Sequence, residues 1–124
     1  MRRIQHRING EIVNPSSDAA NEVLNPATGE QVAEIFLATE RETHLAAASA
    51  KAAFADWRNS SVAQRTKLLY NFRNLVMQNE MRLAELITEE HGKVLEDARG
   101  EVARGIENIE YACGFAEALK VAYS

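Results

Sequence analysis

Both prolines of this chain, Pro15 and Pro26, lie before Thr39. Proline fixes φ and removes a backbone donor, so it punctuates turns and sheet edges and breaks helix interiors. The chain beyond Thr39 is therefore free to form long helices, and its apolar residues recur there with helical spacing. Residues 1–38 read as short β-hairpins and residues 39–124 as helices. The fold class expected for this segment is α+β.

Two turn signals organise the first part. Ile8-Asn9-Gly10-Glu11-Ile12 sets Asn-Gly between β-formers. A type I′ turn needs positive φ at both central residues, which that pair supplies. Val23-Leu24 runs into Asn25-Pro26-Ala27-Thr28-Gly29-Glu30, where Pro26 sets φ early in the turn and Gly29 suits its end. Val32, Ala33, Ile35 and Leu37 then mark a strand, and residues 14–21 read as loop.

The second part reads as three helices. Thr39 with Glu42, and Ser61 with Gln64, have capping-box spacing. The first helix is rich in alanine, with Leu45, Ala48, Ala52 and Ala55 as a small-residue face, and ends near Trp57. The second carries Leu68, Leu69, Phe72, Leu75, Val76, Leu83, Leu86 and Ile87 as one stripe. Gln78-Asn79 marks a bend in it, and Gly92, which accepts the left-handed conformation, ends it. The third runs from about Leu95 to Leu119. Its Val102, Ile106, Ile109, Cys113 and Ala116 share one side, and Arg104, Asn108, Tyr111 and Phe115 nearly the opposite one. A solvent face would carry more charge and a core face would not carry Arg104. This pattern suits a helix buried on two sides, with a polar cavity at one of them.

Several function classes drop out. With a net charge of −4, no basic surface recommends itself for nucleic acid or anionic lipid. No apolar run approaches the roughly 20 residues that span a bilayer. The basic start, Arg2 to Arg7, lacks the apolar stretch of a secretory signal. A single cysteine allows no internal disulfide, and a cytoplasmic setting is expected. His6, His44 and His91 are too scattered for metal ligation, so no metal is expected. Cys113 falls on an apolar stripe near Glu110 and Glu117, where cysteine behaves as a small hydrophobe and a thiolate would be opposed. The carboxylate run from Glu85 to Glu101 mixes with Lys93 and Arg99 as a solvated face does. His91-Gly92-Lys93 lacks the second glycine and the Ser/Thr of a phosphate loop, and reads as a helix stop. Arg104 stands out, flanked by Gly100 and Gly105, with Asn108 one turn on. A guanidinium so placed can hold a carboxylate through paired N–H donors.

These pieces, in this order, resemble the opening of aldehyde dehydrogenases. The resemblance rests on Ile8-Asn9-Gly10-Glu11, on Asn25 to Glu30, on Ala53-Phe54-Ala55-Asp56-Trp57, on Gln64-Arg65, on Leu86 to Lys93 and on Tyr111-Ala112-Cys113-Gly114. The stretch from Asp97 to Ala112 is similar to the methylmalonate-semialdehyde dehydrogenase branch. Val94, where relatives often have proline, is a minor departure.

The resemblance implies part of the α/β cofactor-binding domain of an aldehyde dehydrogenase fold. It implies an enzyme that oxidises malonate or methylmalonate semialdehyde with NAD and passes the acyl group to coenzyme A. Arg104 and Asn108 become the expected substrate-binding residues, Arg104 toward the substrate's carboxylate. The attacking cysteine, the base and the cofactor motifs are expected beyond Ser124. This segment thus supplies no catalytic or cofactor-binding residue and is expected to be inactive alone. A homo-oligomer is expected. Two other readings stand: a stand-alone helical binding or assembly module, and another aldehyde dehydrogenase branch such as one acting on succinate semialdehyde.

Overall fold

A computed structural model describes residues 2–121, with side chains as far as Leu119. The chain divides into two units, Met1–Asn59 and Ser60–Ser124.

The first unit holds β1 (Arg2–Ile4), β2 (His6–Ile8), β3 (Glu11–Val13), β4 (Ala20–Leu24), β5 (Gln31–Phe36) and α1 (Glu40–Trp57). β2 and β3 form the expected hairpin, with Asn9 at φ 55° and Gly10 at φ 79°. β4 and β5 pair antiparallel around the second turn. There the Gly29 amide donates to the Asn25 carbonyl and the Asn25 amide to the Glu30 carbonyl, both at 2.8 Å. The Asn25 side chain accepts from the Ala27 amide at 2.9 Å, the local bond that makes asparagine a turn former. β4 starts at Ala20, inside the stretch read as loop.

β1 is the strand the sequence did not announce. It pairs parallel with β5 and completes the order β1-β5-β4. Three residues are too few to show a period. Here the Arg3 guanidinium lies 5.6 Å from the Phe36 ring centre and 3.7 Å from the Glu34 carboxylate. Ala33 is buried on β5.

The second unit has four helices where two were expected. They are α2 (Val62–Gln78), α3 (Glu80–His91), α4 (Leu95–Cys113) and α5 (Phe115–Val121). Asn79 separates α2 from α3 at φ −110°, ψ 13°. Its side-chain amide donates to the Leu75 carbonyl at 2.8 Å, competing with the helix ladder as asparagine does. Gly114 separates α4 from α5, at the residue whose helix cost, about 1 kcal/mol against alanine, is greatest short of proline. Gly92, at φ 82°, ends α3 as expected.

The core of this unit is Ala84, Ala98 and Val102, with Val76, Leu83, Ile87 and Ile106 packed against it. Two fully buried alanines let α3 and α4 approach closely, so the centre is small-residue packing rather than large side chains. The stripe read on α2 is only partly covered: Leu68, Phe72 and Leu75 each keep more than half their surface.

Candidate functional site

The site residues lie on α4. The helix starts at Val94 without a side-chain cap, but Glu96 and Asp97 occupy its first turn, where the helix dipole favours negative charge. Ala98, Val102 and Cys113 form its buried side. Cys113 is thus a buried free thiol in an apolar stripe, as the sequence reading had it. One edge is charged. Arg99 pairs with Glu80 at 3.1 Å and Glu96 at 3.2 Å. The hydrogen bond to Glu80, then the charge of Glu96, hold its guanidinium more firmly protonated than usual. Arg73 of α2 donates to Glu110, from Nε at 2.8 Å.

The other side of α4 carries Arg104, Asn108 and Tyr111, Phe115 opens α5 just beyond it, and all four are exposed. Tyr111 keeps 77% of its surface and Phe115 48%. Asn108 donates through its side-chain amide to the Arg104 main-chain carbonyl at 2.9 Å. The two expected site residues thus lie on one face, joined through backbone. Among the described residues the Arg104 guanidinium is in no hydrogen bond or ion pair. A Cβ built on Gly100 or Gly105 would meet nothing within 4 Å. The face beside the arginine is open.

Lys93 and Glu101, which in sequence belong to a mixed-charge run of the solvated kind, meet in the structure. Lys93 follows the left-handed Gly92 and donates from Nζ to Glu101 Oε1 at 2.8 Å. That hydrogen bond and then the ammonium charge hold the Glu101 carboxyl below the usual range, with Arg104 adding a smaller pull. No periodicity rule links residues eight apart across a helix break, so this pair leaves no mark in the sequence.

The other perturbed carboxylate is Glu42 in the first unit. It accepts from the Thr39 amide, the Thr39 hydroxyl and the Ser16 amide, each at 2.8 Å. These bonds, the Thr39 amide foremost, hold its pKa down to about 2. His6 Nε2 lies 3.9 Å away, buried and without a hydrogen bond. A carboxylate so engaged, with two bonds accepted on one oxygen and one on the other, is ionised at neutral pH. It is a structural pin, not a general acid or base.

Apolar concavities occur in the second unit. An open groove of about 700 Å³ is lined by Val62, Thr66, Tyr70, Ala116 and Leu119, among others. Another of about 360 Å³ runs between Phe72, Leu86, Ile87, Gly105 and Ile109. Neither is lined by Arg104 or Asn108. Among the described residues no three His, Cys, Asp or Glu side chains could hold a metal, and no helix is long and apolar enough to cross a membrane. The left-handed glycines, Gly10, Gly29 and Gly92, sit in hairpin turns and between two helices. Among the described residues none of these glycines lies in a strand-to-helix turn.

Comparison with known proteins places this geometry. The aldehyde dehydrogenase family model matches residues 12–123. A malonate-semialdehyde dehydrogenase of Pseudomonas aeruginosa is 49% identical over 124 residues, covering 100% of this chain and 25% of that protein. The solved methylmalonate-semialdehyde dehydrogenase of Oceanimonas doudoroffii superposes with a TM-score of 0.89 at 42% identity, over 94% of this chain and 24% of the other. A structure from Sinorhizobium meliloti, described as a methylmalonate-semialdehyde dehydrogenase with NAD, superposes at 0.90 with 34% identity, over 94% and 24%. The chain spans about a quarter of the length of the relatives it matches.

Proposed function

From the premise that the chain belongs to the aldehyde dehydrogenase family, we propose that it is the N-terminal segment of a malonate- or methylmalonate-semialdehyde dehydrogenase in which Arg104 holds the substrate's carboxylate. The observation that carries this reading is the open face of α4, where a guanidinium without a partner among the described residues stands beside Asn108. A planar guanidinium matches a carboxylate with two parallel donors, and binding the acid end of a short semialdehyde fixes where its aldehyde lies. Asn108 commits its amide nitrogen to the Arg104 carbonyl, which leaves its oxygen as an acceptor on the same face.

In this reading NAD accepts the hydride and coenzyme A the acyl group, on residues outside the segment. The NAD complex from Sinorhizobium meliloti supports NAD as the hydride acceptor. The setting is the cytoplasm, which suits a buried, unpaired thiol, and the enzyme is a homo-oligomer. The chain alone turns over no semialdehyde.

The test uses the Pseudomonas aeruginosa relative with this segment in place of its corresponding quarter. Arg104→Leu lowers kcat/KM for malonate semialdehyde by about 100-fold and for propanal by no more than about threefold, the signature of a lost charge-assisted pair. Equal losses on both remove Arg104 from carboxylate binding. Faster turnover of succinate semialdehyde than of malonate semialdehyde moves the protein to another branch.

A second reading, a helical assembly module, draws on the uncovered Leu68, Phe72 and Leu75 of α2. Exposed apolar surface of that kind promotes association. A monomeric mass by light scattering at high concentration dismisses it.

A further inference from the structure

We infer that Lys93 is a positioning residue for Arg104: by holding Glu101, it keeps the arginine's guanidinium available to a ligand carboxylate. The inference rests on the role given to Arg104 above. Glu101 precedes Arg104 by three residues on α4. At that spacing a glutamate and an arginine are neighbours on the helix surface and stabilise each other as an ion pair. Here they do not close. Glu101 Oε1 takes the Lys93 ammonium at 2.8 Å instead, and among the described residues Arg104 forms no ion pair.

The geometry explains the choice. Gly92 at φ 82° turns the chain out of α3, and Lys93, with its side chain only 20% exposed, reaches Glu101 on the second turn of α4. A lysine whose stem is covered loses less freedom on pairing than a solvated one, so this pair outcompetes the exposed alternative. The pull on the Glu101 carboxyl follows the same order, Lys93 first and Arg104 after it.

The consequence concerns affinity. Without Lys93, Glu101 is released to pair with Arg104, tethered on the same helix in the favourable order with the glutamate N-terminal. An incoming carboxylate would then compete with an internal one at an effective concentration in the millimolar range. Lys93 removes that competitor without touching the substrate.

The experiment uses the same Pseudomonas aeruginosa enzyme carrying this segment, and compares Lys93→Met, Lys93→Arg, Glu101→Gln and the Lys93→Met/Glu101→Gln pair. Lys93→Met raises KM for malonate semialdehyde about tenfold, with kcat and the KM for propanal unchanged. Adding Glu101→Gln restores KM, because the released competitor is gone, and Lys93→Arg keeps it near the parent value. In the 124-residue chain, Lys93→Met slows exchange of the Arg104 Nε–H with water, and the double variant reverses it. Equal KM rises on both aldehydes, or a double variant as impaired as Lys93→Met, reduce Lys93 to a structural tie and overturn the inference. Arg104→Leu separates the two claims. If it spares malonate semialdehyde, the arginine's role and this inference fall together. If it discriminates while Lys93→Met does not, only the inference falls.

Discussion

α1 and α4 are nearly the same length, 18 and 19 residues, and are held in opposite ways. α4 buries Ala98, Val102 and Cys113 along one side. α1 buries one side chain, and it is a carboxylate: Glu42, with Leu45, Phe54 and Trp57 left exposed. An apolar stripe secures a helix along its whole length, and the stabilisation does not depend on the ionisation of the buried groups. A cap secures only the first turn, through bonds that depend on ionisation. The far end of α1 therefore opens more readily than the middle of α4, and amide exchange resolved by helix reads that ordering directly.

The largest effects lie in the α4 core. Ala98→Leu forces three further side-chain carbons into a fully closed site and costs about 3 kcal/mol, at the upper end for overpacking. Val102→Ala costs about 2 kcal/mol from lost burial plus the cavity left behind. On the opposite side of the same helix, Arg104→Ala and Tyr111→Ala change the stability of this chain by less than about 0.5 kcal/mol, as exposed sites do. Urea unfolding followed through the helical signal compares all four. A Tyr111→Ala loss as large as that of Val102→Ala would mean that this face is covered in solution, and the contrast between the two sides of α4 would fail.

This contrast marks what the sequence could disclose. Whatever is settled by neighbours in the chain was readable. Asn9-Gly10 forced its turn, and Thr39 with Glu42 and Ser61 with Gln64 capped their helices. The side of α4 bearing Val102 and Cys113 was set by period alone. What was not readable depends on residues meeting across a gap. β1 is too short to show a period and gains its place from β5. The interruption at Gly114 reflects a bare backbone in an otherwise continuous stripe, whereas Asn79 breaks its stripe where the sequence marks a bend. Glu42 read as a cap, but its third bond, from Ser16, spans 26 residues. Arg104 and Asn108 stood out by their composition on one face, whereas Lys93 and Glu101 looked like ordinary surface charge until the break at Gly92 brought them together.

The caps give effects of middle size. Thr39→Ala costs about 1.5 kcal/mol and Ser61→Ala about 1 kcal/mol. The difference arises because the Thr39 hydroxyl also donates to a buried carboxylate, whereas the Gln64 side chain that answers Ser61 is solvated. Glu42→Gln distinguishes the two boxes by pH. The folded-state pKa of Glu42, about 2, lies below its ordinary 4.5. Its contribution is therefore fully present above pH 4.5 and fades as pH falls toward 2. The parent chain exceeds Glu42→Gln in stability at pH 7, and the gap closes over that window. A gap that stays constant down to pH 2 would show that the carboxylate's charge is irrelevant and that α1 is held by shape alone.

The smallest effect tests the edge between the two sides of α4. Arg73 donates to one oxygen of Glu110 through two nitrogens, so the pair lacks the fork-to-fork geometry of the strongest arginine–carboxylate contacts. Both side chains are partly solvated, 30% and 45% exposed. Water screens the attraction, and ordering two long side chains offsets much of what remains. A double-mutant cycle with Arg73→Ala and Glu110→Ala therefore returns a coupling of about 0.5 kcal/mol. In about 1 M NaCl, where the Debye length shrinks to about 3 Å, that coupling falls by half or more. A coupling above about 2 kcal/mol that survives salt would mean the pair is desolvated. The apolar side of α4 would then extend past its present edge to Glu110, and α4 would owe part of its hold to a buried charge, as α1 does.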